Sequence, residues 1–395
     1  MRSVPLTAVY FARCRSYHDP AMRDFSLEVF FSKWEFAARH HLTASDAESV
    51  SLSRLLEVAT PADRDRFMAL HLGYTQTFGS PTLREAIAAT YAGVPAADIL
   101  CFAGAEEGLY ICMRTLLEAG DHAIVMTPNY QAAETLPLSI CDVTGVPLVE
   151  SADWALDVDA IRAALRPNTR LISINFPNNP TGAVPTRAAF EALVELCRKR
   201  GIWLFSEEVY RGLERSDADR LPQATEVYER GISLNVMSKA YGLPGLRIGW
   251  IACRDPALLA RMERYKHYLS ICNSAPSEVL AEIALKARGT LIARNRGLVF
   301  ENLKLLDAFF AQFESLFYWK APKGGCVAFP RYRGSEGVEA FCQRLVEEAG
   351  VLLLPASIYR SELTETPRDR FRIGFGRANL PAGLKAMETW LSGAK

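Results

Sequence analysis

The middle of the chain alternates short apolar runs with amphipathic stretches, and this alternation restricts the fold more than any other feature. The runs "DHAIVMT" (121–127), "TRLISINF" (169–176), "GIWLFS" (201–206), "GISLNVMS" (231–238) and "RIGWIAC" (247–253) have the length and bulk of buried strands. Between two of them, "TRAAFEALVELCRKRG" (186–201) places apolar residues near i, i+3, i+4 and i+7. It opens after Thr186 and stops at Gly201, which are helix start and stop signals. Strand–helix alternation predicts an α/β fold with a mostly parallel sheet covered by helices on both faces. In such sheets ligands gather at the carboxyl ends of the strands. Residues just past Thr127, Phe176, Ser206 and Ser238 are therefore expected to converge on one crevice.

One of those strand ends poses a problem. "GIWLFSEEVYRG" (201–212) runs from Phe205 straight into Ser206, Glu207 and Glu208. A buried charge is costly unless something pairs with it. Either both acids reach water, or one meets a cationic partner inside the protein.

The last third changes character. "NRGLVFENLKLLDAFFAQF" (295–313) predicts a long amphipathic helix, and "GGCVAFPRY" (324–332) and "RFRIGFG" (370–376) predict half-buried strands. Together with the first part of the chain they are expected to form a smaller α+β domain. The expected division is 1–70 for an N-terminal extension and part of the small domain, 71–285 for the large domain, and 286–395 for the C-terminal small domain.

Charge and cysteine content remove several classes of function. The 45 basic and 45 acidic residues cancel, which leaves no electrostatic footprint for nucleic acid or an anionic membrane. Nine cysteines lie scattered without a CxxC pair, as expected of reduced, mostly buried thiols in a cytoplasmic protein. No apolar run approaches the roughly 18 residues of a membrane span. The first 25 residues read as a loose extension, because Arg13 and Arg15 interrupt their apolar character. No GxGxxG follows a strand, which disfavours a nicotinamide dehydrogenase. The six histidines, adjacent His40 and His41 among them, form no metal-ligand spacing, so no metal is expected.

Five stretches carry candidate chemistry. In "NVMSKAYGLPGLRIGW" (235–250), Lys239 follows an apolar strand and precedes a glycine-rich loop with Arg247. A desolvated lysine has a lowered pKa and becomes a good amine nucleophile, while the arginine suits a phosphate. In "NFPNNPTGAV" (175–184), Asn179 sits in turn chemistry at a strand end. In "LGYTQTFGSPTLREAIAATY" (72–91), a loop presents Tyr74 ahead of a helix that starts at Ser80-Pro81. In "CFAGAEEGLYICMRTLL" (101–117), backbone N–H groups at Gly104 and Ala105 open a helix and make an anion site. In "TPNYQ" (127–131), Tyr130 lies where a flat ring covers a planar ligand. Taken singly, each has a plainer reading: a solvated lysine, a turn, an ordinary helix start, a packing tyrosine.

Their order and combination are far more specific. Together "GYTQTFG", "AGAEEG", "PNY", "NNPTG", "SEEVY", "SKAYGLPGLRIG" and "RFRIGFG" resemble the fold-type I, pyridoxal-phosphate-dependent aminotransferases of class I/II over roughly residues 70–380. The resemblance implies a seven-stranded-type, mostly parallel large domain, a smaller α+β domain from both chain ends, and pyridoxal 5'-phosphate as cofactor. It implies that Lys239 forms the internal aldimine and then moves the proton at Cα through a carbanion. Glu207 is then the partner of the pyridine nitrogen, Asn179 and Tyr210 the partners of the ring 3′-oxygen, and Tyr130 the stacking ring. Gly104, Ala105 and Glu106, through backbone N–H groups, with Ser238 and Arg247, would hold the phosphate. Tyr74 would reach the phosphate of the neighbouring subunit, implying a homodimer with shared sites. Arg372, with Asn179, would clamp the substrate α-carboxylate. The substrates implied are an amino acid and a 2-oxo acid.

Three departures from the family pattern matter. Glu207 stands where the family places an aspartate, which adds one methylene against the ring nitrogen. Val236 replaces a serine normally three residues before the lysine, while Ser238 remains. The segment "SLEVFFSKWEFAARHHLTASDAESVSLSRLL" (26–56), with the loop after it, resembles a branch that includes capreomycidine-synthase-like enzymes. The reading is an aminotransferase acting on an α-amino acid. The alternative is a β/γ-elimination, replacement or cyclisation enzyme acting on an arginine-derived substrate. Residues 18–45 are expected to hold the specificity. A regulator's sensor domain is disfavoured, because too few residues precede the family-like region to form a DNA-binding module.

Overall fold

The structure is a computed structural model, and it describes residues 22–393. Its strands run in chain order as β1 (His40–His41), β2 (Ile99–Phe102), β3 (His122–Thr127), β4 (Asp142–Pro147), β5 (Thr169–Asn175), β6 (Trp203–Glu207), β7 (Gly231–Val236) and β8 (Gly249–Cys253). Six further short strands follow: β9 (Phe317–Tyr318), β10 (Val327–Ala328), β11 (Arg331–Tyr332), β12 (Val351–Leu352), β13 (Leu354–Pro355) and β14 (Phe371–Gly374).

Strands β2 to β8 form one seven-stranded sheet in the order β2-β8-β7-β6-β5-β3-β4. Its pairs are parallel except for those of β8, which runs antiparallel to both β2 and β7. All five strands read from the sequence are present. Every residue of β2, β3, β7 and β8 is buried, as a sheet covered on both faces requires. The helix Arg187–Arg200 forms as its signals predict. The Thr186 hydroxyl accepts from Ala189 N, and Gly201 ends the helix at φ +63°. Its buried residues Phe190, Leu193 and Cys197 pack in one apolar cluster with Ile172, Ile174 and Leu204 of the sheet.

Two sheet strands were not anticipated. β4 carries a glycine and a proline and is half-exposed at the sheet edge, so it lacks the apolar signal. β2 is only four residues long and merges into the glycine turn after it.

The second unit uses both chain ends. The helix Arg288–Gln312 starts seven residues before the predicted boundary. The "GGCVAFPRY" segment splits into β10 and β11, with Pro330 between them. A core of Phe310, Phe317, Phe341 and Phe371 joins that helix to β9, β14 and the C-terminal helix Leu380–Gly393. The N-terminal segment is threaded into this unit: β1 pairs in parallel with β12, and Leu42 O accepts from Gly374 N at 2.8 Å. A Cβ on Gly374 would lie 1.9 Å from Ala44 O, so only glycine allows this approach. The segment then crosses to the sheet, where Ala47 N donates to Lys239 O at 3.1 Å.

Candidate active site

The carboxyl ends of β6 and β7, the start of the helix Ala105–Leu116 and the threaded segment 41–46 enclose a cavity of about 580 Å³. Lys239 lies three residues past β7 and lines this cavity. Its Nζ donates to Ser45 Oγ at 2.8 Å. Burial holds the Lys239 pKa below the usual lysine range, with Asp46 opposing and Arg372 adding to the shift.

Glu207 is the last residue of β6 and turns into the cavity. Its Oε2 is buried and has no hydrogen-bond partner. Burial pushes its pKa up to about 7, neighbouring Glu106 adds to the shift, and Lys239 opposes it. Glu208 faces the other side of the sheet, where its Oε1 accepts from Ala224 N at 2.9 Å and Ser233 Oγ at 3.0 Å. The two acids of "SEEVY" therefore have separate environments, and only Glu207 lines the cavity.

The raised pKa has a defined sign for stability. The folded chain keeps the Glu207 proton to about pH 7, whereas an unfolded chain releases it near 4.5. Folding then loses stability as pH rises between those values. Glu207→Gln is expected to stabilise the ligand-free protein above pH 7 by at most roughly 3 kcal/mol, and to change little below pH 4. Thermal melting across that pH range checks it.

The remaining donors surround these two groups. Tyr210 is 1% exposed and lines the cavity, and its hydroxyl has no partner. Asn179 reaches the cavity from the turn after β5. Its Oδ1 accepts from Arg372 Nη1 at 3.1 Å and from the Tyr359 hydroxyl at 3.3 Å. Tyr130 lies on the cavity wall, edge-on to Phe25 with ring centroids 5.2 Å apart. Gly104 caps the helix Ala105–Leu116 at φ +99°, and a Cβ there would sit 2.4 Å from Arg247 Nη2. A side chain at 104 would thus close the concave space between the helix N-terminus and Arg247. Ala105, Glu106, Ser238 and Arg247 all line that end of the cavity.

Three of the expected residues lie outside the cavity lining: Gly104 at the helix cap, Arg372 and Tyr74. Arg372, on β14, is fully buried behind Asn179, and its Nη2 donates to Thr43 O at 2.6 Å. Tyr74 is 92% exposed on the protein surface.

The residues missed in the sequence come mostly from the threaded segment. They are Ser45 on Lys239, His41, which burial and Arg377 hold down to about 4, and Asp46, paired with Arg377 at 2.9 Å. Polar residues in a segment without periodicity give no local signal of what they face.

The donor set fits pyridoxal phosphate. A helix N-terminus with an arginine suits a phosphate. An unpartnered buried carboxylate suits a protonated ring nitrogen, and an unpartnered phenol suits the ring oxygen. Lys239 supplies an amine of lowered basicity. Among the described residues, no group of three or more His, Cys, Asp or Glu is arranged to hold a metal ion.

Comparison with known proteins agrees with this chemistry. A family model described as aminotransferase class I and II matches residues 51–385. Capreomycidine synthase from Streptomyces vinaceus is 31% identical over 315 residues, covering 79% of each chain. A PLP-dependent aminotransferase from Streptococcus suis superposes with a TM-score of 0.87 at 31% identity, covering 94% of this chain and 98% of the other. A PLP-dependent cyclase superposes with a TM-score of 0.85 at 26% identity, covering 94% and 98%.

Proposed function

The chain belongs to the class I and II aminotransferases, enzymes that use pyridoxal phosphate, and from that premise we propose how its own residues carry the reaction. One observation supports the assignment above the others. The Lys239 amine and the two orphaned groups, Glu207 Oε2 and the Tyr210 hydroxyl, share one cavity with a helix N-terminus.

When bound, pyridoxal phosphate acts as an electron sink for a carbanion at the substrate Cα. Around it, backbone N–H groups of Gly104, Ala105 and Glu106, with Ser238 and Arg247, would hold the phosphate. Glu207 would hold a proton on the ring nitrogen through its charge. Asn179 and Tyr210 would bind the ring 3′-oxygen, and Tyr130 would cover the ring face. Lys239 would attach the cofactor and move the proton at Cα. Its lowered basicity leaves a larger neutral fraction for that role than a solvated lysine has. Arg372, with Asn179 beside it, binds the α-carboxylate of an amino acid or 2-oxo acid.

Arg372→Lys is expected to raise KM for the amino acid about 10- to 100-fold with a smaller change in kcat. The planar fork gives two charge-assisted bonds that an ammonium cannot reproduce. Steady-state kinetics with a good substrate checks this.

The working unit in this reading is a cytoplasmic homodimer, with Tyr74 reaching the partner's phosphate site. Exposed Leu72, Tyr74, Tyr268, Leu269 and Ile271 supply apolar surface for that contact. We read residues 71–285 as the large cofactor-binding domain, with the small domain formed by the chain on either side. Among the described residues no helix is long and apolar enough to cross a membrane.

A second outcome, elimination or cyclisation of an arginine-derived substrate, is favoured by one feature of this cavity. Glu28 and Phe31 of the helix Ser26–Trp34, with Glu35 at its end, line the cavity. Neither acid has an ion-pair partner among the described residues. An aromatic face between two carboxylates suits a guanidinium. Both acids lie within the 18–45 segment expected to carry specificity. The similarity to capreomycidine synthase points the same way.

Mixing the holoenzyme with single amino acids and following the cofactor spectrum tests the function. One 2-oxo acid released per site without an acceptor supports amino transfer. Ammonia or a cyclised product supports the second outcome. No spectral change with any α-amino acid rejects both.

A further inference from the structure

Lys266 takes no part in the chemistry above, yet it is completely buried and fully committed. It ends the helix Pro256–Lys266. Its Nζ donates to Thr77 O at 2.6 Å, Cys101 O at 2.7 Å and Asn273 Oδ1 at 2.7 Å. Three donors meet three acceptors, and all three acceptors are neutral. A buried ammonium stays satisfied only while the segments that offer those oxygens hold their places. The segments are the loop that carries Tyr74, the strand β2 that leads into Gly104, and the loop after the helix.

Neighbouring groups extend this connection in both directions. Asn273 Nδ2 donates to Phe102 O at 3.0 Å, and Asn273 O accepts from Thr75 Oγ1 at 3.1 Å. Buried Glu278 accepts from Ser80 N at 3.0 Å and from Thr75 Oγ1 at 3.3 Å. Glu107 accepts from Ala103 N at 2.6 Å and Ser270 N at 3.1 Å. A continuous polar strut therefore runs from the Tyr74 loop to the turn at Gly104–Glu106.

We propose that Lys266 is a positioning residue that joins the phosphate-binding turn and the partner-facing Tyr74 loop into one unit, so that cofactor and second subunit strengthen each other's binding. This rests on the reading of Gly104–Glu106 as the phosphate site and of Tyr74 as the partner-facing residue. A ligand that orders the strut lets the second bind without ordering it again. By linkage, the gain is the same in both directions.

The test is sedimentation equilibrium of the wild type, Lys266→Met and Thr75→Val, each with and without saturating pyridoxal phosphate. Phosphorus NMR of the bound cofactor accompanies it. Thr75→Val is the milder variant, at a half-buried loop position where a lost hydroxyl leaves the core untouched. In the wild type the cofactor is expected to tighten the dimer by about 5- to 150-fold, the usual range for coupled sites. In both variants that factor is expected to fall toward one, and in Lys266→Met the phosphate resonance is expected to shift. A purely structural role would lower the melting temperature and leave the factor unchanged. Wild-type coupling and resonance in both variants overturn the proposal. A wild type that binds no cofactor refutes the proposed function itself, and one that stays monomeric with cofactor bound refutes the dimer reading and this inference with it.

Discussion

Lys239→Ala is expected to lower turnover by at least about 10³-fold, since a positioned acid or base contributes about 10²- to 10⁴-fold and the proposed role of this residue includes attaching the cofactor. The purified variant is expected to lose the visible-edge absorbance of covalently attached cofactor. The cavity gives the reason. The amine is held at Ser45 Oγ at 2.8 Å, and burial favours its neutral form. Ser238 and Tyr210 line the cavity with Lys239, and among the described residues no other lysine does. Small amines added to the variant are expected to restore part of the lost rate, because they supply the missing base. Absorption spectra and turnover with and without added amine check the prediction. Unchanged covalent attachment in the variant would remove Lys239 from its role.

Glu207→Gln is expected to lower turnover by about 10²- to 10³-fold, the scale for removing one preorganised electrostatic partner. In the proposed site a neutral amide would no longer hold a proton on the ring nitrogen, and that stabilising charge would be lost. The same change is expected to stabilise the ligand-free protein above pH 7, because the orphaned buried carboxylate is gone. Opposite effects on activity and stability are what a group placed for function at a cost to stability produces. Glu208→Gln provides the contrast. Glu208 accepts from Ala224 N and Ser233 Oγ on the far side of the sheet. Its substitution is expected to affect folding rather than chemistry. Unchanged turnover in Glu207→Gln would take Glu207 out of the mechanism.

The parts of this site that are legible in the sequence share a physical cause. Strand ends in a parallel sheet face one crevice, so Glu207, Asn179 and Lys239 are placed together as soon as their strands are read. Glycine at 104 is legible because the turn demands φ +99° and no side chain fits beside Arg247. Ser45, His41 and Asp46 are different. They reach the cavity because a segment without periodicity threads between the two units. Gly374 permits that approach, and Lys239 O accepts from Ala47 N to hold it there. Long-range approach of that kind leaves no spacing in the local sequence. Lys266 was hidden for the same reason: its three acceptors lie on Thr77, Cys101 and Asn273, far apart in the chain. The strand β4 was missed because an exposed edge needs little apolar bulk.

The glutamate at 207 sharpens the question of reaction outcome. Its extra methylene brings the carboxylate further into the cavity than an aspartate would reach. Small changes of position are costly in rate when reacting groups must align. The acidic face made by Glu28 and Glu35 adds a second departure at the substrate end of the same cavity. In the proposed reaction both features would bear on the outcome, and neither would alter the role proposed for Lys239.

That attachment is the centre of the account, and one measurement reaches it directly. The holoenzyme is reduced with borohydride, digested, and its peptides are mapped by mass spectrometry. The account predicts a single cofactor-modified peptide, bearing the modification on Lys239. Modification of a different lysine, or of none, would contradict it.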